Sequence, residues 1–107
     1  MIENIKKNYK IFVVDDEATV TMLIKIILEK AGYKNITTFN NPEIAYKTIL
    51  TEKPDVVCSD IRMPNMTGIE LLKKVKQELP NIFFIMISAS SEFDDVLNCM
   101  QNGAYDY

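Results

Sequence analysis

DVVCSDIRMP, at residues 55–64, joins a short apolar run to an acid and a loop that contains proline. The run Val56 to Ser59 predicts a buried strand, and Asp60 follows it directly. A carboxylate at the carboxyl end of a strand occupies the position where open α/β sheets keep their ligand sites. The stretch therefore predicts a sheet with a functional acid at its edge.

A second apolar run also ends in acids. Lys10 to Val14 predicts a strand that is buried on both faces, and Asp15 and Asp16 come immediately after it. If the two strands lie side by side in a parallel sheet, three carboxylates meet at one edge. Because negative charges in close proximity repel one another, such a cluster calls for a cation.

Strands and helices alternate along the chain, which favours right-handed crossovers and a parallel sheet. Strands are predicted over residues 10–14, 36–39, 56–59, 82–87 and from 104 onward, with 82–87, the most apolar run, at the centre of the sheet. The helix-start signals between them are Asn41 with Pro42, then Gly68, then a loose capping box of Ser91 and Asp94. We therefore predict an α/β fold with one doubly wound parallel sheet.

Apolar spacing also predicts the helix between the first two strands. The positions that carry it are Val20, Leu23, Ile24, Ile27, Leu28 and Ala31, and Gly32 is the natural stop. In the third helix the corresponding positions are Ile69, Leu72, Val75 and Leu79.

Composition limits the classes of function. A chain of 107 residues is one domain, and a hydrophobic fraction of 48% is ample for a core. The net charge of -3 and the scattered basic residues argue against nucleic acid as a direct partner. Neither a membrane-spanning stretch nor a signal peptide is present, so we expect no membrane partner and a cytoplasmic location. Residues 1–9 are expected to form a short polar tail.

Two residue types narrow the chemistry further. Histidine is absent, which excludes histidine metal ligands, histidine general bases and Ser-His or Cys-His nucleophile pairs. The two cysteines, Cys58 and Cys99, are expected to be structural thiols in a reducing compartment.

Five motifs carry a resemblance to a known family. They are Val13-Val14-Asp15-Asp16-Glu17, Ser59-Asp60-Ile61-Arg62-Met63-Pro64, Met66-Thr67-Gly68, Ile87-Ser88-Ala89 and Gly103-Ala104-Tyr105-Asp106-Tyr107. In this order and at this spacing they resemble the receiver domain of two-component response regulators. Each motif alone is a weak signal, but the five together are specific and cover nearly the whole chain.

The resemblance implies a flavodoxin-like receiver fold with five strands in the order 2-1-3-4-5. It also implies that Asp60 is the phosphoacceptor. Asp15 and Asp16 would hold Mg²⁺, and Asp60 and the backbone carbonyl of Arg62 would complete the protein ligands.

The remaining implied roles belong to the switch. Ser88 would donate a hydrogen bond to a phosphoryl oxygen, and Tyr107 would be the aromatic residue whose rotation reports phosphorylation. The face made by the fourth helix and the fifth strand would then change. The family's lysine, followed by proline, is expected about three residues past Tyr107, the last residue. We therefore expect residues 1–107 to be a receiver domain that is incomplete at its C-terminal side and lacks the last helix.

The function implied is a phosphorylated signalling domain. It would accept a phosphoryl group from the phosphohistidine of a sensor histidine kinase or a phosphotransfer protein. It would catalyse only its own phosphorylation and dephosphorylation, and so would not be a metabolic enzyme. The resemblance leaves a C-terminal output domain and a homodimer open.

Three alternative functions belong to other classes of protein. A receiver-like module that binds proteins without phosphorylation is the main one. An aspartyl-phosphate hydrolase is disfavoured because Arg62 stands where such enzymes usually carry a second acid. A flavin carrier is disfavoured because Asp15-Asp16-Glu17 would repel the flavin phosphate.

Overall fold

A computed structural model of the chain describes residues 8–87 and 103–104. Its strands are β1 (Lys10–Val14), β2 (Asn35–Phe39), β3 (Val56–Ser59) and β4 (Phe83–Met86). Its helices are α1 (Ala18–Lys30), α2 (Pro42–Glu52) and α3 (Gly68–Glu78). The strands form one parallel sheet in the order β2-β1-β3-β4. The predicted α/β fold and the order of its first four strands are confirmed.

Strand β1 is buried on both faces of the sheet. Phe12 and Val14 belong to a large core that the sheet shares with α2 and α3, whereas Ile11 and Val13 face a smaller core beneath α1. Because successive side chains of a strand point to opposite faces, only a continuous apolar run can fill both cores.

Helix α2 begins as the sequence predicts. Asn41 is its N-cap, and the side-chain oxygen of Asn41 accepts hydrogen bonds from the N–H groups of Glu43 (2.9 Å) and Ile44 (3.2 Å). Pro42 occupies the first helical position, where its missing N–H costs nothing. The cap therefore fixes the point where the chain leaves β2 and enters the helix.

Helix α1 buries less than its apolar spacing suggests. Thr21 is 2% exposed, and Ile24 and Leu28 pack against the smaller core, but Leu23 and Ile27 are each 58% exposed. The reason is geometric: the apolar residues occupy two adjacent stripes of the helix, and only one stripe contacts the sheet. Within residues 8–87 and 103–104, no helix combines the length and apolar character needed to cross a membrane.

The C-terminal side of the sheet is described only in part. Strand β4 is the outer strand of the described sheet, so the central position expected for residues 82–87 stays a prediction. Ala104 is buried in the large core, where the fifth strand was expected to begin. The predicted fourth helix and the remainder of the fifth strand lie outside the described residues.

The loop between β3 and α3 is anchored at both ends. Ile61, Met63 and Met66 are buried in the large core. Thr67 forms a capping box with Glu70, in which each side chain accepts a hydrogen bond from the backbone N–H of the other (3.1 and 3.3 Å). These contacts hold the loop that follows Asp60 in one conformation.

Gly68 allows the start of α3 to approach this loop closely. Its N–H donates to the carbonyl oxygen of Ile61 at 2.6 Å. A Cβ atom at Gly68 would lie 2.0 Å from the carbonyl oxygen of Asp60, which is far inside the contact distance. Since this oxygen belongs to the backbone, no side-chain rotation can relieve the clash.

Replacing Gly68 by alanine is expected to lower the free energy of unfolding by about 3 kcal/mol, at the upper end of overpacking effects, because backbone must move. Urea unfolding followed by circular dichroism measures the change. The matched control is Gln77→Ala, at an exposed position of the same helix, which should stay within about 0.5 kcal/mol of the unmodified chain. Equal stability of the two variants would contradict the prediction.

Candidate functional site

The acids meet because of the register between β1 and β3. Val14 is paired with Ser59, so the next residues, Asp15 and Asp60, leave the sheet side by side. The N–H of Asp60 donates to the carbonyl oxygen of Val14 (3.0 Å), which extends the pairing by one residue. The predicted meeting of strand ends at one edge is therefore observed.

The three predicted carboxylates form one cluster. Asp15, Asp16 and Asp60 each offer an oxygen atom, and these oxygens all lie within 4.8 Å of one another. Asp15 is buried, Asp60 is half-buried and Asp16 is exposed. The cluster is therefore fixed on its inner side and open to solvent on its outer side.

Backbone N–H groups orient two of the carboxylates. Asp15 Oδ1 accepts a hydrogen bond from the N–H of Glu17 (2.9 Å), and Asp60 Oδ1 accepts one from the N–H of Ile61 (2.8 Å). A carboxylate has two oxygens and about four acceptor positions, so one local hydrogen bond leaves capacity for a ligand.

Burial within the cluster changes the acidity of Asp15. Burial of its carboxyl raises the pKa from 3.8 to about 6; the Glu17 N–H opposes this change, and the charges of Asp60 and Asp16 reinforce it. A carboxyl group that resists ionisation beside two other acids would be stabilised as a carboxylate by a bound cation.

Helix capping does not account for the acids after β1. The N-cap of α1 is Glu17, which makes no side-chain capping bond. Asp15 and Asp16 lie before this N-cap. Among the hydrogen bonds of the described residues, the Asp15 carboxylate accepts one from the N–H of Glu17 and none from the N–H groups within α1. The acids are thus placed for one another rather than for the helix.

Of the other residues singled out in the sequence, Arg62 and Cys58 lie within the part of the chain that the structure describes. Arg62 has an exposed side chain, and the role of its backbone carbonyl as a ligand stays a prediction. Ser88 and Tyr107 lie outside the described residues. Cys58 is buried in β3, and burial raises the pKa of its thiol to about 11, which agrees with a structural role.

Asn40 is a contact of the cluster that the sequence analysis missed. Its side-chain amide donates to the carbonyl oxygen of Asp15 (2.9 Å) and to Thr21 Oγ1 (3.2 Å). The sequence offered no local signal for this contact, because the pairing of Val14 with Phe39, which places Asn40 beside Asp15, exists only in the folded sheet.

Two cavities lined by described residues lie away from the acids. One, of about 400 Å³, is lined by loops at the opposite edge of the sheet, including Asp55 and Pro80. The other, of about 360 Å³, lies on the side of the smaller core, against Cys58 and Ile85. The carboxylate cluster is therefore a surface site and lies in neither cavity.

Comparison with known proteins agrees with this geometry. Over residues 11–107 the chain matches the family model of the response regulator receiver domain. It is 38% identical over 97 residues to the DNA-binding transcriptional regulator NtrC of Escherichia coli K12, which covers 91% of this chain but 20% of that protein. It is 37% identical over 99 residues to the chemotaxis protein CheY of Bacillus subtilis, covering 92% of this chain and 82% of that protein.

A solved structure gives the same answer for the fold. The crystal structure of a response regulator receiver domain protein from Clostridium thermocellum matches with a TM-score of 0.86 and 29% identity, over 92% of this chain and 79% of that one. Receiver domains are signalling modules and not metabolic enzymes. The chain belongs to the response regulator receiver domain family.

Proposed function

We propose that this domain accepts a phosphoryl group on the carboxylate of Asp60, with Mg²⁺ held beside it. The observation that carries the proposal is the cluster of Asp15, Asp16 and Asp60, whose oxygens lie within 4.8 Å of one another. Of these acids, Asp60 alone follows β3 and precedes the anchored loop, the position that the family resemblance assigns to the phosphoacceptor.

The donor set suits Mg²⁺. All three side chains offer oxygen, the ligand type that Mg²⁺ prefers, and these oxygens lie within 4.8 Å of one another. Asp15, Asp16, Asp60 and the backbone carbonyl of Arg62 would hold the ion, and the exposed side of the cluster leaves room for water and phosphate oxygens.

Charge explains why the reaction needs a cation. A carboxylate that attacks phosphorus is repelled by the charge on the phosphoryl oxygens, and the metal would supply the neutralising charge. In the proposed transfer, a carboxylate oxygen of Asp60 forms a bond to phosphorus while the bond from phosphorus to the donor nitrogen breaks. The Ile61 N–H holds the Asp60 side chain in one orientation for this step.

The proposed partners follow from the same reaction. The donor would be the phosphohistidine of a sensor histidine kinase or a phosphotransfer protein. Ser88 would donate a hydrogen bond to the bound phosphoryl group, and Ser88 and Tyr107 would carry the change to the face of the fourth helix and fifth strand. Because the chain spans 20% of NtrC and 82% of CheY, an attached output domain is left open.

Phosphorylation of Asp60 can be tested directly. Incubation with Mg²⁺ and a small phosphoramidate should add one phosphoryl group, seen by intact-mass spectrometry, and Asp60→Asn should abolish the adduct because it removes the attacking carboxylate. Asp55→Asn is the matched control, because Asp55 lies at the opposite end of β3 and should be dispensable.

A longer form that includes the family's expected lysine runs in parallel, since that lysine would add a cation beside the phosphoryl group. An adduct that persists in Asp60→Asn would assign the reaction to another residue. No adduct on either form would favour the protein-binding module that works without phosphorylation.

In the absence of metal, the free energy of unfolding should depend on pH through the Asp15 carboxyl group. The pKa of Asp15 is about 6 in the folded chain against an ordinary value of 3.8, so the folded state binds the proton more tightly than the unfolded state does. The resulting stability is fully present below about pH 4 and is lost as the pH rises through about 6. In EDTA, Asp15→Asn should therefore raise the free energy of unfolding by about 1–2 kcal/mol near pH 7.5, and by almost nothing near pH 4.

Urea unfolding at several pH values measures this effect, with Glu29→Gln, at an exposed carboxyl of α1, as the control. Adding Mg²⁺ should stabilise the unmodified chain near neutral pH and should stabilise Asp15→Asn far less, because a ligand is lost. A pH-independent gain from Asp15→Asn would contradict the assignment of the effect to this carboxyl group.

A further inference from the structure

We propose that Asn40 is a positioning residue for the cation site, acting on the backbone between Asp15 and Asp16. The inference rests on the proposed binding of Mg²⁺ by these acids. It assigns to the end of β2 a part in a site that is otherwise built from the ends of β1 and β3.

The backbone of Asp15 is held on both sides by consecutive residues of one segment. Its N–H donates to the carbonyl oxygen of Phe39 (3.0 Å), and its own carbonyl oxygen accepts a hydrogen bond from the Asn40 side chain (2.9 Å). The first contact continues the pairing of β1 with β2. The second contact is specific to a side chain that carries a donor.

The hydrogen bond from the Asn40 side chain to the Asp15 carbonyl oxygen restrains one peptide plane. The carbonyl group of Asp15 and the N–H of Asp16 belong to one planar peptide unit, so the two must rotate together. Holding the Asp15 carbonyl therefore sets the direction in which the chain enters Asp16. As Asp15 and Asp16 are the proposed neighbouring ligands, this plane governs how their carboxylates are placed relative to each other.

Asn40 also links this peptide to α1. Its amide nitrogen lies 3.2 Å from Thr21 Oγ1, and Thr21 Oγ1 in turn donates to the carbonyl oxygen of Ala18 (3.1 Å). Thr21 is 2% exposed, so its hydroxyl is held inside the first turns of the helix. A chain of hydrogen bonds thus connects the end of β2, the acidic turn and the start of α1.

Asn40 is itself well placed to act as a fixed support. It directly precedes Asn41, the N-cap of α2, and Pro42, which is buried at the first helical position. The capping bonds and the restricted φ angle of proline limit movement of this junction. Asn40 is an exposed residue, so its position is set by this junction and by its two side-chain hydrogen bonds.

Pre-positioned ligands bind a metal ion more tightly, and removing an outer hydrogen-bond partner of a metal site typically costs about tenfold to a hundredfold in affinity. Because Asn40 contacts a backbone carbonyl rather than a carboxylate, we expect Asn40→Ala to weaken Mg²⁺ binding by about tenfold, the lower end of that range. Isothermal titration of the metal-free chain with MgCl₂ measures the dissociation constant.

The matched control is Asn35→Ala. Asn35 is an exposed residue at the start of β2, and Asn40 directly follows the end of that strand, so both variants remove the same side-chain group from one segment. Its dissociation constant for Mg²⁺ should equal that of the unmodified chain. Thermal unfolding in EDTA shows that each variant is folded at the titration temperature, and Asn40→Ser is a second variant in case Asn40→Ala is not.

A spectroscopic measurement separates positioning from a general loss of stability. The amide nitrogen of Asp16 shares the peptide unit whose carbonyl Asn40 binds, so its NMR chemical shift should change in Asn40→Ala without metal and should be unaffected by Asn35→Ala. A merely structural contribution of Asn40 would lower the unfolding temperature and leave the dissociation constant for Mg²⁺ unchanged.

The outcomes distinguish the inference from the proposed function. Failure of the unmodified chain to bind Mg²⁺ would overturn both. Mg²⁺ binding that is equally tight in the unmodified chain and Asn40→Ala would overturn the positioning role and leave the proposed function standing. Equal weakening by Asn40→Ala and Asn35→Ala would assign the effect to β2 as a whole and would also overturn it.

Discussion

The site depends on the register in which β1 and β3 pair. Val14 lies opposite Ser59, and each is followed by an acid, so the same pairing that fills the two cores also brings Asp15 and Asp60 together. A slip of one residue would turn Phe12 away from the large core and would move one acid relative to the other. Hydrophobic burial therefore specifies the geometry of the carboxylates.

The rest of the fold compensates for an arrangement that is unfavourable by itself. Three carboxylates share a small volume, and one of them, Asp15, is only 6% exposed. Backbone N–H groups offset part of this cost, and Gly68 lets α3 begin against the backbone of Asp60. Local unfavourable features of this kind are typical of functional positions, where the surrounding packing maintains a geometry that the local sequence does not prefer.

Local signals in the sequence predicted much of this structure. The bounds of β1 and β3 and the Asn41 cap follow from residues within one element, and parallel pairing then brings the strand-end acids together. The capping box of Thr67 and Glu70 was also readable in the sequence, yet the prediction began α3 at Gly68 without it. The sequence pattern around Asn40 could not show its role, because its hydrogen-bond partners, Asp15 and Thr21, lie 25 and 19 residues away and are brought to it only by the fold. The apolar spacing of α1 also could not predict which of its two neighbouring apolar stripes contacts the sheet.

The shape of the site bears on the kind of donor that the proposed reaction can use. A cavity that encloses a small molecule usually supplies much of its binding through buried apolar surface. The carboxylate cluster lies in neither of the two cavities, and its exposure increases from Asp15 through Asp60 to Asp16. Within the part of the chain that the structure describes, the site thus presents carboxylate oxygens at the surface. Under the proposed function, selectivity for the donor would then have to come from contacts outside the cluster, as expected when the phosphoryl group is presented on the surface of another protein.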